Sequence, residues 1–190
     1  MASSDLPLSE PGRRLLHQLA RESIAHGVRH GQMLEINLST LPAELLAPRA
    51  AFVTLEKQNR LRGCIGSLKP RRPLAEDVIC NAFAAAFRDP RFPPVTPEEA
   101  KDLSIHLSVL SSLEEIPCRS EQELLAQIRP GIDGLVLEEG YRRSTFLPVV
   151  WASLPDKRDF LSHLKIKAGL SPHYWSAELK VYRYTVEVID

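Results

Sequence analysis

The segment Leu61-Arg62-Gly63-Cys64-Ile65-Gly66-Ser67-Leu68 is the most informative stretch of the chain. It has the composition of a β-strand, yet two glycines flank its cysteine. Glycine weakens the interior of a strand, because it packs no side chain and loses more backbone entropy on folding. The pattern therefore indicates that a ligand or another piece of backbone approaches the strand closely near this cysteine.

The sequence around this strand predicts a hairpin that is followed by a helix and another strand. A first strand covers residues 50–57, a turn follows at 58–60, and the second strand covers residues 61–68. Pro70 and Pro73 precede a helix that extends to about Phe87, and Asp89-Pro90 ends it, because a residue before proline avoids the helical region. A third strand follows, with alternating apolar residues at Leu103, Ile105, Leu107 and Val109.

The second half of the chain has the same predicted order. A hairpin covers residues 135–147, a helix covers about 156–168, and a last strand covers Leu179 to Ile189. This strand would carry Tyr182, Tyr184, Val186 and Val188 on one face. Because residues 50–110 and 134–189 both follow the order hairpin, helix, strand, we hypothesise an internal duplication, with both halves joined in one curved antiparallel sheet.

Length and charge indicate an ordinary globular protein. The 190 residues include 24 basic and 24 acidic side chains, so no net charge draws the whole molecule to nucleic acid or to an anionic membrane. The three cysteines form no CxxC pair, and the N-terminal residues do not resemble a signal peptide. We therefore expect a cytoplasmic protein with no membrane segment. Residues 1–8 are predicted to be a disordered lead-in, and residues 9–190 a single domain whose first helix, from about Glu10 to Arg29, is capped by Ser9.

Five sequence blocks occur together in a characteristic order. The blocks are Phe52-Val53-Thr54-Leu55, Leu61-Arg62-Gly63-Cys64-Ile65-Gly66, Arg88-Asp89-Pro90-Arg91-Phe92-Pro93-Pro94, Thr145-Phe146-Leu147-Pro148 and Lys167-Ala168-Gly169-Leu170. In these blocks and their order the chain closely resembles the AMMECR domain family, whose prokaryotic members are called AmmeMemoRadiSam system protein A.

The resemblance implies an α+β fold with a larger and a smaller lobe. Its sheet would be barrel-like and mainly antiparallel, with flanking helices. The resemblance also implies association with a Memo-type protein and a radical SAM enzyme, but it does not imply an established reaction.

Cys64 is the candidate catalytic residue. In an extended strand Arg62 and Cys64 point to the same face, roughly 6–7 Å apart along the chain. A guanidinium near a thiol favours the thiolate and makes it more nucleophilic. Gly63 and Gly66 would then let a ligand or another backbone segment approach. The alternative is a packed cysteine that acts as a small apolar side chain, with the glycines in a bulge.

The other candidate ligand-binding residues follow the second helix. Asp89 could be an acid/base group, and Arg91 could bind a small anionic ligand, since a guanidinium recognises carboxylate or phosphate in a bidentate manner. The alternative for Asp89 is a local ion pair that ties a rigid loop to the sheet. Arg142 and Arg143, in a turn, could add to a positive cleft, although charges in turns usually face solvent.

A general base for Cys64 is missing from the motif blocks, because none of the six histidines lies in them. His106 falls on the strand face opposite Ile105 and Leu107. A Cys–His pair would therefore depend on tertiary structure that the sequence does not reveal. The spacing of ligand-type residues matches no metal motif, and no glycine-rich loop matches a nucleotide fingerprint. We accordingly predict neither a metal nor a cofactor.

Two hypotheses about function follow. In the first, Cys64 lies in a cleft between the lobes and attacks or binds a ligand, while Arg62 and Arg91 orient an anionic group. In the second, the chain is a non-catalytic adaptor for Memo-type and radical SAM partners, and Arg62, Arg91 and Phe92 form its docking surface.

Overall fold

The computed structural model of the chain describes residues 7–190. Most of the predicted lead-in of residues 1–8 lies outside this range, but Leu8 does not. Leu8 is 5% exposed and belongs to the first core, and its N–H group donates to the Glu187 carboxylate at 3.1 Å. Leu8 is therefore not part of a disordered segment, because both burial and hydrogen bonding anchor it.

The elements follow one another in an α+β order. The helices are α1 (Glu10–His30), α2 (Ala43–Leu46), α3 (Leu74–Phe87), α4 (Glu121–Gln127) and α5 (Lys157–Lys167), with 3₁₀ turns at Leu38–Thr40, Glu99–Lys101 and Pro148–Ala152. The strands are β1 (Ala51–Lys57), β2 (Arg60–Gly66), β3 (Ser104–Leu110), β4 (Glu114–Glu115), β5 (Gly134–Glu139), β6 (Arg142–Phe146), β7 (Lys180–Tyr184) and β8 (Val186–Ile189).

Local signals explain where the first elements begin and end. The Ser9 hydroxyl accepts the Gly12 N–H group, so the predicted cap of α1 is confirmed, and Gly31 ends this helix in the left-handed conformation with φ +68°. The turn between β1 and β2 has positive φ at both Gln58 and Asn59, as a two-residue hairpin requires. Arg60 already belongs to β2, one residue earlier than the sequence predicted.

The strands form two four-stranded sheets, in the orders β2-β1-β3-β8 and β4-β7-β5-β6. In each sheet, the first strand of the hairpin lies between its hairpin partner and the strand that follows the helix. The predicted order of hairpin, helix and strand is therefore present twice. The prediction of one joined sheet is wrong, because β1–β3 and β4–β7 pair in separate sheets and only β8 of the second half joins the first sheet. The described residues 7–190 form no closed barrel. A duplication of sequence stays a hypothesis.

The predicted last strand is also corrected. Residues 179–189 contain two strands, β7 in the second sheet and β8 in the first, with a break at Thr185. Tyr184 is buried, and its hydroxyl donates to the Phe146 carbonyl in the second sheet, whereas Val188 is 57% exposed. The proposed common face of Tyr182, Tyr184, Val186 and Val188 is therefore wrong, because the chain changes sheets within this segment.

Two compact units contain these sheets. The first comprises the described residues up to Ser111 together with Glu187–Asp190, and the second comprises Ser112–Val186. In the first unit, α1 and α3 pack with Val53, Leu55 and Leu107 on one face of the sheet. In the second unit, Leu135, Leu137 and Val181 pack with Phe160 and Trp151, whose rings stack at 3.7 Å. Within residues 7–190, no helix is long and apolar enough to cross a bilayer.

Candidate functional site

Cys64 lies on β2, at the edge of the first sheet. It pairs with Thr54 of β1, and its sulfur lies 3.3 Å from the Thr54 hydroxyl oxygen. The next residue, Ile65, packs against the core that contains Val53 and Leu55. Because successive side chains of a strand alternate in direction, the Cys64 thiol lies on the face of the sheet opposite that core.

The loop after α3 covers the outer edge of β2 at Cys64. The Asp89 carboxylate accepts the Cys64 N–H group at 2.9 Å, and Arg91 Nη2 donates to the Cys64 carbonyl at 3.2 Å. A neighbouring strand would offer the same two hydrogen bonds. The Asp89–Arg91 pair therefore satisfies an edge strand that would otherwise expose unpaired backbone groups.

Asp89 and Arg91 form a bidentate ion pair. Arg91 Nε lies 2.9 Å from Oδ1 and Nη2 lies 2.7 Å from Oδ2, while the Arg91 N–H group also donates to Oδ1. The hydrogen bonds from Arg91 hold the pKa of the Asp89 carboxyl well below its usual range, although burial opposes this. Asp89 is 4% exposed and stays ionised, so it offers no proton for acid catalysis at neutral pH.

Arg62 is directed away from the thiol. Its Nη2 and Nε donate to Glu99 at 2.9 and 3.2 Å, and Nη2 also lies 3.4 Å from the Pro94 carbonyl. The pairing with Arg62 lowers the pKa of Glu99 to about 2. A register shift in the hairpin explains the difference from the sequence argument: Leu55 pairs with Gly63, but Glu56 pairs with Leu61, so Arg62 occupies a bulge.

The two glycines are required by close packing. A Cβ atom on Gly63 would lie 2.2 Å from the backbone carbonyl oxygen of Ala85, so the glycine lets α3 approach β2. A Cβ atom on Gly66 would lie 2.2 Å from the Phe52 ring, which therefore occupies the space above Gly66. Close contact with protein atoms therefore explains why both positions are glycine. A bound ligand is not needed to explain them.

Two polar residues, Thr54 and His106, lie on the same face of the sheet as Cys64, and the sequence did not show that the three belong together. Thr54 pairs with Cys64 on one side and with His106 of β3 on the other, so the three side chains form a row across the strands. His106 Nδ1 lies 2.7 Å from the Asp190 carboxylate. Alternation placed His106 on the polar face of its strand, but only the strand register reveals that this row begins at Cys64.

The other two thiols lie in different surroundings. Arg72 Nη1 donates to the Cys80 sulfur at 2.9 Å, and burial raises the pKa of Cys80 despite this contact. Burial also raises the pKa of Cys118, and the nearby Glu123 and Glu115 raise it further. Both residues are therefore disfavoured as thiolates at neutral pH.

The remaining predicted residues are engaged elsewhere. Arg142 donates to the Gly169 carbonyl and Arg143 pairs with Glu138 at 2.9 Å, all within the second unit. A cavity of about 260 Å³ lies between α1 and the end of β8, and its lining includes Arg14, His17 and Asp190 but not Cys64. No three His, Cys, Asp or Glu side chains among residues 7–190 are placed to hold a metal ion.

Comparison with known proteins identifies the family. The sequence model of the family described as AMMECR1 matches residues 17–189. The chain belongs to the AMMECR1 family. It is 39% identical to a protein of Methanothermobacter thermautotrophicus over 186 residues, which cover 96% of this chain and 95% of the relative. A protein of Thermotoga maritima is 40% identical over 167 residues, or 86% of this chain and 90% of the relative.

A solved structure of an AMMECR1-family relative supports the fold. The crystal structure of an uncharacterized protein from Pyrococcus horikoshii superposes with a TM-score of 0.87 at 37% identity. The match covers 95% of this chain and 92% of that protein. The α+β fold predicted from the resemblance is therefore confirmed.

Proposed function

We propose that this AMMECR1-family protein binds a small electrophilic ligand through the Cys64 thiol. One observation carries the proposal: the Cys64 backbone is fixed at both its N–H and its carbonyl group, while its sulfur has only the Thr54 hydroxyl as a hydrogen-bonding partner among the described residues. A nucleophile that must be presented in one orientation needs such support.

Arg91 supports an interaction with an anionic group on the ligand. Its Nε and Nη2 atoms are used by Asp89 and Cys64, but the side chain is 53% exposed. Arg62 is a weaker candidate, because Glu99 pairs with it and its side chain is only 10% exposed. The proposed site does not require a cleft between two lobes, since Cys64, Thr54 and Arg91 all belong to the first unit.

Two alkylating reagents of different charge test the role of Arg91. Iodoacetamide is neutral and iodoacetate is anionic, so the ratio of their rates at Cys64 separates thiol access from attraction of an anion. We expect Arg91→Gln to lower the iodoacetate-to-iodoacetamide ratio about threefold, because an exposed charge that is fully screened by water contributes somewhat under 1 kcal/mol at about 6 Å. Peptide mass spectrometry would measure both rates at Cys64.

The control for this experiment is Arg21→Gln, which removes an exposed arginine from α1. It should leave the ratio unchanged. An equal ratio in wild-type protein and Arg91→Gln would contradict the anion contact, even if Cys64 still reacted with both reagents.

A second candidate function is the adaptor role suggested by the family resemblance. The supporting observation is the Phe92 ring, which lies 5.9 Å from the Arg62 guanidinium and 5.4 Å from that of Arg91, next to the exposed Pro93 and Pro94. Rigid loops with aromatic and arginine side chains suit protein contacts, because they lose little entropy on binding.

Sedimentation of the chain with a Memo-type protein and with a radical SAM enzyme tests the adaptor role. We expect a complex at micromolar concentration that Phe92→Ala weakens at least tenfold. Val149→Ala, which truncates an apolar side chain that is 73% exposed, should not weaken it. Separate sedimentation of the proteins at these concentrations would contradict the adaptor role.

A further inference from the structure

The outer face of the first sheet carries a second reactive group besides Cys64. His106 occupies the same row as the thiol, with Thr54 between them. The Thr54 side chain is short, so it does not fill the space between the thiol and the imidazole. A group attached to the Cys64 sulfur would therefore extend along this row toward the imidazole.

Asp190 determines which imidazole nitrogen can act as a base. Its carboxylate oxygen lies 2.7 Å from His106 Nδ1, and an ionised carboxylate only accepts hydrogen bonds. Nδ1 therefore carries a proton, and Nε2 is the nitrogen with the lone pair in the neutral ring. An orienting carboxylate and a histidine with a basic Nε2 are two of the three parts of a nucleophilic hydrolase site.

Other charged groups around His106 are few. Glu56 of β1 approaches Nε2 to 3.7 Å, and Asp190 approaches from the end of β8. The His17 ring contacts the neighbouring Ile105 carbonyl at 3.1 Å. Glu56 is therefore the charged side chain that competes with a ligand for Nε2.

The separation of His106 and Cys64 limits what they can do together. Two strand spacings place their Cα atoms about 10 Å apart, which is too far for the thiol and the ring to form a direct hydrogen bond in the fixed backbone. An acyl group on the sulfur and one water molecule would fill this distance. The geometry therefore favours a role for His106 after the thiol has reacted.

We propose that His106, oriented by Asp190, activates the water that removes an acyl group from Cys64. This inference rests on the proposed function, and the substrate class is an activated acyl donor. The Cys64 sulfur bonds to the carbonyl carbon of the donor, the bond to the donor's leaving group breaks and this group departs with the electron pair, and the thiol proton passes to water, which leaves a thioester on Cys64. The water oxygen then bonds to the carbonyl carbon, and the carbon–sulfur bond breaks. Cys64 leaves as the thiolate, His106 Nε2 takes the water proton, and a carboxylic acid is released without any redox change.

Acetylation by p-nitrophenyl acetate tests this role. The release of p-nitrophenolate reports acetylation, and mass spectrometry follows the later loss of the acetyl group from Cys64. Because p-nitrophenolate leaves without help from an acid, His106→Gln should acetylate within about threefold of wild type. Loss of the acetyl group should slow at least 100-fold, since general base catalysis contributes about 10²- to 10⁴-fold.

Asp190→Asn should slow deacetylation in the same direction, because it removes the carboxylate that selects the tautomer. The control is His163→Gln, which changes an exposed histidine on α5 and should leave both steps unchanged. The pH profile of deacetylation should differ between wild type and His106→Gln, because only the wild type has the imidazole that takes the proton.

The outcomes separate the two proposals. Equal deacetylation rates in wild type and His106→Gln, with Cys64 acetylated in both, would overturn the role of His106 and leave the Cys64 site intact. A Cys64 that is acetylated no faster than Cys80 and Cys118 would overturn both proposals.

Discussion

At the scale of single residues, Asp89 and Arg91 bind the backbone of Cys64 and not its thiol. The Asp89 carboxylate and the Arg91 guanidinium replace the missing neighbour of an edge strand at this residue. The sequence predicted these residues near the site and offered a local ion pair as one role for Asp89. It could not predict that the pair binds the Cys64 backbone, because a strand's position at a sheet edge follows from pairing across the chain.

Removal of the Asp89 carboxylate should destabilise the fold. Asp89→Ala leaves the Cys64 N–H group and the Arg91 guanidinium without their partner, so we expect a loss of about 1–3 kcal/mol in the free energy of unfolding. Asp89→Asn keeps an oxygen that can accept the Cys64 N–H group, so it should lose less free energy of unfolding than Asp89→Ala. Urea denaturation would measure both, with the exposed Asp102→Ala as a control expected within about 0.5 kcal/mol of wild type. An Asp89→Ala variant as stable as this control would contradict the edge-capping role.

At the scale of elements, periodicity predicted most helices and strands. Alternation in residues 103–109 located β3, whose Ile105, Leu107 and Val109 are buried. The apolar stripe of α3 and the hairpin β1–β2 were also located correctly. The break between β7 and β8 was missed, because Thr185 is a good strand residue and nothing local marks the change of sheet.

An ion pair between a buried lysine and a partly exposed glutamate connects two helices of the second unit. Lys165 of α5 is fully buried and pairs with Glu121 in the first turn of α4, while its ammonium lies 5.7 Å from the Trp175 ring. Glu121→Ala would leave the ammonium buried without a carboxylate, so we expect a cost of about 3–5 kcal/mol.

The double variant Glu121→Gln/Lys165→Met separates the contribution of the two charges to stability from the contribution of side-chain packing. It replaces both charges with side chains of similar size, and an ion pair of this kind can be exchanged at little cost. We expect it to lie within about 1.5 kcal/mol of wild type in thermal or urea unfolding. A double variant that is less stable than Glu121→Ala would show that the charges themselves hold α4 and α5.

At the scale of the whole molecule, the two sheets have the same internal strand order but separate pairing. The sequence revealed the repeated order, because hairpins, helices and strands each have a local pattern. It did not reveal that the strands form two separate sheets, with the last strand returning to the first one, since this depends on contacts between distant segments. For the same reason, the row of Cys64, Thr54 and His106 appears in no motif: its members are 10 and 52 residues apart in the chain.

Acid should destabilise the first unit through two carboxyl groups. The folded pKa of Asp89 is lowered by Arg91, and that of Glu99 is lowered from 4.5 to about 2 by Arg62. A lowered folded pKa gives stability that is fully present above the unfolded pKa and is lost as pH falls toward the folded pKa. We therefore expect the urea midpoint to fall between about pH 5 and pH 2.

Asp77 has the opposite effect on acid stability, because burial raises its pKa. Its ionised form therefore lowers the stability of the fold at neutral pH, and this cost disappears as the pH falls. Asp77 should offset part of the acid loss. The Glu99→Gln variant tests the assignment: it should be less stable than wild type at pH 6 and closer to wild type at pH 3. An equal stability difference at both pH values would exclude Glu99 as a source of acid sensitivity.

Alkylation by iodoacetamide shows whether Cys64 is the reactive thiol of the chain. The native protein would be treated at pH 7, and peptide mass spectrometry would give the rate for each cysteine of the same molecules. We predict that Cys64 reacts at least tenfold faster than Cys80 and Cys118, whose pKa values are raised by burial. Reaction of Cys64 at the same rate as the other two, or more slowly, would contradict the account.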